Sequence, residues 1–108
     1  MEWKTRITEM LDIRYPIIQG AYAGFGTSKI AVPVSKAGGL GIITASALKT
    51  PKALREDIRR AKTLTDKPIG VNLSIGICPE IDEMREVAIE EGIPVVETAA
   101  YKATDHGK

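Results

Sequence analysis

Four short runs rich in apolar and β-branched residues recur along this chain. They are Pro16-Ile17-Ile18-Gln19, Leu40-Gly41-Ile42-Ile43-Thr44, Pro68-Ile69-Gly70-Val71-Asn72-Leu73 and Ile93-Pro94-Val95-Val96-Glu97. Their starts lie 24, 28 and 25 residues apart. They show little polar alternation, the pattern of strands covered on both faces in a parallel sheet. Parallel neighbours need a crossover between them, and helical patterns fill each gap. Such alternation predicts β-α-β units with right-handed connections.

The crossover helices carry their own signals. Thr50 before Pro51 makes a good N-cap and first position. Leu54, Ile58 and Ala61 then share one face, with Glu56 and Arg60 free to pair at i, i+4 on the outer side. A later helix is expected to start near Pro79, burying Ile81, Met84 and Ala88, with Gly92 at C′. The earliest crossover is less regular. Thr27 can cap it and Ile30, Ala31, Val34 and Ala37 share a face, while Pro33 removes a hydrogen bond and predicts a kink. Gly38-Gly39 ends it. Ile7 to Leu11 offers one extra helical turn before the first run. Residues 99–108 lack periodicity and are expected as a loop or flexible tail.

A repeat near 26 residues matches the unit of a (β/α)8 barrel, which needs ~200 residues or more in all. At 108 residues, the chain holds about half of one. The expected fold is therefore α/β, a single partial (β/α)-barrel domain over 1–108 with about four strands and three helices.

Composition removes several alternatives. Fifteen basic and 14 acidic residues leave a net charge of +1, so neither nucleic acid nor a membrane surface is an expected partner. Arg59, Arg60 and Lys62 lie beside Arg55, Glu56 and Asp57, a mixture that reads as a solvated helix face. The single cysteine, Cys78, excludes a disulfide framework and a cysteine metal cluster, and is expected as a small loop residue. Met1 to Met10 is charged and shows no secretory pattern. No stretch reaches the ~18 apolar residues of a membrane span, so a cytoplasmic location is the expectation.

In barrels of this kind chemistry sits at the C-terminal ends of the strands. That rule selects Gln19, Gly20, Ala21 and Tyr22; then Thr44, Ala45 and Ser46; then Asn72 and Ser74; then Glu97 and Thr98. Gly20 and Ala21 are small enough for a flat ligand to approach the backbone, or they simply make a tight turn. Asn72 is polar inside an apolar strand, and a buried amide needs partners, from a ligand or from the protein. Glu97 is a general base, a ligand acceptor or half of a rim salt bridge. Gly38-Gly39-Leu40-Gly41 is not a phosphate loop. It leaves a helix and enters a strand, the reverse of the order such loops need. His106, the sole histidine, lies near the C-terminus, where a rigid catalytic position is not expected. No catalytic or metal-binding residue is assigned.

The segments together resemble the nitronate monooxygenase family, formerly 2-nitropropane dioxygenases, which includes the FMN-dependent enoyl-ACP reductase II enzymes. The matching stretches are Thr5 to Leu11, Tyr15 to Gly20, Val34 to Ile43, Ala53 to Glu56, Thr65 to Leu73 and Ile93 to Ala99, in order over nearly the whole chain. Ala37-Gly38-Gly39-Leu40-Gly41-Ile42-Ile43 alone also resembles IMP dehydrogenases. Its combination with Gln19-Gly20 and Gly70-Val71-Asn72 is more specific.

The resemblance implies the N-terminal half of a TIM barrel that holds non-covalent FMN at the strand C-termini. It implies oxidation of alkyl nitronates with flavin and oxygen, or reduction of enoyl thioesters with a nicotinamide cofactor. The family's first loop usually runs Gln-Gly-Gly-Met against the flavin ring; here Ala21 and Tyr22 take the last two places. Asn72 matches the family asparagine that contacts the flavin. The implied cofactor-binding residues are thus Gly20, Ala21, Tyr22 and Asn72. Pro33 stands where alanine is usual. The family's catalytic histidine and phosphate-gripping glycines belong to later strands, and His106 does not match that histidine's motif. The expectation is therefore part of an FMN oxidoreductase, inactive by itself, completed by a second chain or a homodimer and acting on a small molecule. The alternative is a non-catalytic half-barrel module that self-associates or binds a partner.

Overall fold

The computed structural model describes residues 2–100. It contains α1 (Arg6–Leu11), α2 (Ser28–Lys36), β1 (Gly41–Thr44), α3 (Ala45–Leu48), α4 (Pro51–Leu64), β2 (Ile69–Ile75), α5 (Ile81–Glu90) and β3 (Val95–Ala100). The three strands form one parallel sheet in the order β1-β2-β3. Consecutive parallel strands joined by helices are the (β/α) unit, and the arrangement is that of the N-terminal half of a TIM barrel. Among the described residues no helix is long and apolar enough to cross a membrane.

The helices begin where their caps require. Thr5, Thr27 and Thr50 each accept a hydrogen bond through the side chain from a backbone N–H of the first turn. α3 and α5 lack such a cap: Thr44 precedes α3 and Glu80, in left-handed backbone at φ 49°, precedes α5, neither with a side-chain cap bond. Gly92, at φ +70°, follows the end of α5. The extra turn expected at Ile7 to Leu11 is α1. The short α3, directly after β1, was not expected.

The sheet has two different faces. Ile43, Ile69, Val71 and Leu73 point to the helix layer, where Leu54, Ile58 and Ala61 of α4 and Met84, Val87 and Ala88 of α5 cover them. Leu40 and Ile42 point the other way, toward Ile13, Leu11 and Val95. Two glycines permit close packing: Gly41 lets α2 onto the sheet, and Gly70 admits the Ile42 side chain of the neighbouring strand. A Cβ on Gly41 would collide with the Ala31 carbonyl of α2, and one on Gly70 would lie 2.7 Å from Ile42 Cδ1. Cys78 follows β2 in a loop, and its side chain is buried in the helix-side core. That burial pushes its thiol pKa up, away from reactivity.

Three expectations need correction. First, Pro16 to Gln19 is not a strand. It meets β1 only at an isolated parallel bridge, Ile18 to Leu40. Leu40 N–H still donates to Ile17 O, and Gln19 N–H donates to Leu40 O. The backbone then turns away, and the Gln19 side chain takes over. Its Oε1 accepts from Ile42 N–H at 3.1 Å. Thr44 N–H is met by Gly26 O. The edge of β1 is thus satisfied without a regular partner strand.

Second, β3 extends through Ala99 and Ala100, two residues into the segment expected as a tail. Parallel pairing with Ser74 and Ile75 is made by backbone, so it needs no apolar side chain. Residues 101–108, including His106, lie outside the described residues.

Third, the charged face of α4 is not wholly solvated. Asp57 is buried, and its carboxylate accepts from Ser28 N–H and Ser28 Oγ, both at 2.7 Å. Arg55 and Arg59 reach across to Glu90 and Glu91 at the end of α5, and Lys62 donates to the Glu91 carbonyl. The buried stripe of α2 is correspondingly rotated. It comprises Ser28, Ala31, Val32 and Ser35, while Ile30 is exposed. Ser35 earns its burial through two bonds, to Pro68 O at 2.8 Å and from Gly41 N–H at 2.9 Å.

Candidate functional site

The site is built by register. Ile42, Gly70 and Val95 stand side by side, and two residues further along stand Thr44, Asn72 and Glu97. Side chains alternate along a strand, so both rows face the side away from the helix layer. The lower row is apolar. The upper row, at the C-terminal end of the sheet, is polar. Sequence and register together therefore place a change of chemistry at the end where barrel sites lie.

The upper row is internally bonded. Asn72 Nδ2 donates to Glu97 Oε1 at 2.7 Å. Ser74 Oγ donates to Asn72 Oδ1 at 2.9 Å. Asn72 is 0% exposed, whereas Glu97 is half-buried. Thr44 is buried, and its Oγ1 accepts from Tyr22 N–H at 3.0 Å. That bond holds the loop after the first run against the polar row.

The loop residues are the open part of the site. Gly20, Ala21 and Tyr22 are all exposed, and a Cβ on Gly20 would meet nothing within 4 Å. Tyr22 and Phe25 rings stand 5.5 Å apart at a tilted angle, both outward. A hollow of about 270 Å³ is lined by Gln19, Gly20, Tyr22 and Ile30. Beside it Gln19 Nε2 is buried without a partner, an orphan that burial makes costly. Because Ile42 N–H needs an acceptor, Oε1 must face it and Nε2 must be the unpaired atom.

The residues selected from sequence thus fall into two sets. Asn72, Ser74 and Glu97 come together in one hydrogen-bonded network, while Thr44, beside Asn72 in register, bonds instead to the Tyr22 backbone. Gly20 and Ala21 lie beside it in the loop. Ala45 and Ser46 are drawn away into α3. Sequence reasoning missed Asp57, which ties α4 to the start of α2 just beyond the loop. A signal existed: Asp57 shares the Leu54, Ile58 and Ala61 face, and a carboxylate on a buried stripe calls for a donor.

This end of the sheet suits the flat, polar part of a ligand. Gly20 leaves space beside the exposed Ala21 and Tyr22. It does not suit a phosphate, because Gln19, Gly20, Ala21, Tyr22, Thr44, Asn72 and Ser74 are neutral and Glu97 is acidic. A second cavity, about 350 Å³, lies at the opposite end, lined by residues including Asp12, Ile58, Lys62, Asp66 and Ile93. It sits at the starts of β2 and β3, the end that serves stability in barrels. Among the described residues no group of three or more His, Cys, Asp or Glu is placed to hold a metal ion.

Comparison with known proteins bears on the family and the fold. The family model for nitronate monooxygenase matches residues 4–104. A probable nitronate monooxygenase of Staphylococcus haemolyticus is 41% identical over 75 residues, covering 69% of this chain and 21% of that protein. One from Staphylococcus aureus is 43% identical over 72 residues, 67% of this chain and 20% of that protein. The structure of FabK from Thermotoga maritima superposes with a TM-score of 0.88 at 43% identity, over 95% of this chain and 32% of that one. Nitroalkane oxidase from Streptomyces ansochromogenes shares the fold, with a TM-score of 0.73 at 24% identity, over 87% of this chain and 35% of that one. The chain therefore spans about a fifth of the curated relatives and about a third of the solved structures.

Proposed function

The chain belongs to the nitronate monooxygenase family, a family of oxidoreductases, and we propose that it forms the ring-facing side of an FMN site in such an enzyme. The observation that carries this reading is the polar row Thr44, Asn72 and Glu97 at the C-terminal end of the sheet, beside the open backbone at Gly20. Gly20 and Ala21 give backbone access to a flat ring, Tyr22 borders it, and Asn72 stands in the row between Thr44 and Glu97. FMN, when bound, supplies the redox chemistry. The chain's own residues shape the surface against which the ring lies and exclude water from its inner side.

The activity assigned to the completed protein is oxidation of alkyl nitronates with flavin and oxygen, supported by the names of the staphylococcal relatives. The phosphate grip and the proton-transferring residue come from further (β/α) units. No cation lines the row, and its one titratable side chain, Glu97, is engaged by Asn72. Those further units would pack against the outer edge of β3, where Val96 is exposed. The single buried thiol of Cys78 suits a reducing cytoplasm.

A second reading has its own observation. Val96, at the sheet edge, is 41% exposed although it pairs with the fully buried Val71. An exposed apolar strand at an edge invites self-association, which fits a non-catalytic module. Oxygen uptake with propane 2-nitronate separates the readings when measured for the chain alone and mixed with the remaining (β/α) units of a family member. Turnover only in the mixture, with a flavin absorbance band, is expected. Turnover by the chain alone overturns the expected inactivity. A stable colourless dimer that neither binds FMN nor gains activity in the mixture favours the module.

A further inference from the structure

We infer that Glu97 is a positioning residue: its carboxylate fixes the sense of the Asn72 amide, and Glu97 itself is the group of the row that meets a ligand. The second half rests on the flavin reading above.

An ionised carboxylate only accepts hydrogen bonds. Asn72 Nδ2, 2.7 Å from Glu97 Oε1, must therefore be the donor. A flipped amide would set Oδ1 against the carboxylate, oxygen to oxygen. The Ser74 hydroxyl lies 2.9 Å from Oδ1 and rotates to suit whatever faces it. Ser74 follows the orientation, and Glu97 sets it.

Exposure assigns the second role. Asn72 is 0% exposed and its amide is held through one hydrogen and one lone pair, so Glu97 is the more accessible polar group of the pair. Glu97 stands beside it in register on the last strand and is half-buried. The row thus offers an anionic acceptor, with the amide as its support. Such a group selects an uncharged heterocycle edge that carries an N–H donor, such as the imide of a flavin ring. It disfavours a carboxylate, phosphate or nitronate at the same place, since like charges repel.

Side-chain amide NMR of the 15N-labelled chain tests the first role. The Asn72 NH2 pair is expected to be shifted downfield and slow to exchange with deuterium. Both features persist in S74A and are lost in E97Q, where the new amide can donate or accept and no longer fixes the sense. Unchanged Asn72 signals in E97Q overturn the positioning role, and a well-dispersed backbone spectrum shows that the variant is folded.

Riboflavin, which lacks the phosphate, tests the second. It is expected to move the backbone signals of Gly20, Tyr22 and Glu97, with affinity falling about tenfold in E97A, the scale of one charge-assisted hydrogen bond. N3-methylated riboflavin is expected to bind equally weakly. Equal binding of the two flavins by the wild-type chain overturns Glu97 as the ligand-facing group. Failure of riboflavin to move any of these signals overturns the flavin reading and this second role with it, while the Asn72 amide signals still decide the first.

Discussion

The two faces of the sheet are made by the same three strands yet obey different rules. The helix-side face is closed by apolar contacts, with Ile43, Val71 and Leu73 all 0% exposed. The opposite face changes from Ile42 and Val95 to Thr44, Asn72 and Glu97 within two residues. On the first face, position is fixed by volume. On the second, it is fixed by hydrogen-bond direction. The helix-side face carries the larger core, while the opposite face packs Leu40, Ile42 and Val95 at its lower end and turns polar above them, where side chains are left to carry chemistry.

That contrast can be broken most forcefully on the closed face. Leu54→Ala removes a fully buried side chain between α4 and the sheet. A loss of about 2–5 kcal/mol is expected in urea unfolding, whereas Val95→Ala on the other face should cost clearly less. Comparable losses for the two would erase the distinction.

Asp57→Ala tests polar fixation inside the closed layer. It leaves the buried Ser28 N–H and hydroxyl without their acceptor. The expected cost is about 1–3 kcal/mol, with faster amide exchange at the start of α2. A neutral result would show that water replaces the carboxylate.

Thr44→Val sharpens the description of the polar face. It keeps the side-chain shape and removes the acceptor for Tyr22 N–H. Stability should fall by about 1 kcal/mol, and exchange at Tyr22 should accelerate more than elsewhere. Uniform acceleration across the chain would mean that Thr44 serves the fold and not the loop.

The smallest effect lies where α4 meets α5. The hydrogen bond from Arg59 holds the Glu91 carboxyl below its ordinary value of 4.5, assisted by Arg55 and Lys62. The folded value is the lower one, so this stabilisation is present above 4.5 and fades as pH falls through the folded value. Glu91→Gln should therefore lower the urea midpoint slightly at about pH 6, with the difference shrinking as pH falls below 4.5. A difference that grows on acidification would reverse the assignment.

Much of this was legible in the sequence for local reasons. Thr50-Pro51 and Thr27 announce helix starts because capping depends on neighbours in the chain. Leu54, Ile58 and Ala61 announce a buried face because the helix period brings them together. Thr44, Asn72 and Glu97 fall toward the C-terminal end of the sheet, as the strand-end rule expects. Illegible were the partners that arrive from far along the chain. Asp57 finds Ser28 across 29 residues, and Asn72 finds Glu97 across 25.

The sequence by itself determined the alternation of strands and helices, their parallel order and the kinship with flavin oxidoreductases. These follow from periodicity and short motifs, which are properties of consecutive residues. Only the tertiary structure decided that Pro16 to Gln19 guards the β1 edge without being a strand, with a Gln19 side chain in place of backbone. Only it decided that Asn72 is buried and bonded to Glu97 on the neighbouring strand. Both outcomes depend on which donors and acceptors face each other once the layers have packed, and direction in space is not written in spacing along a chain.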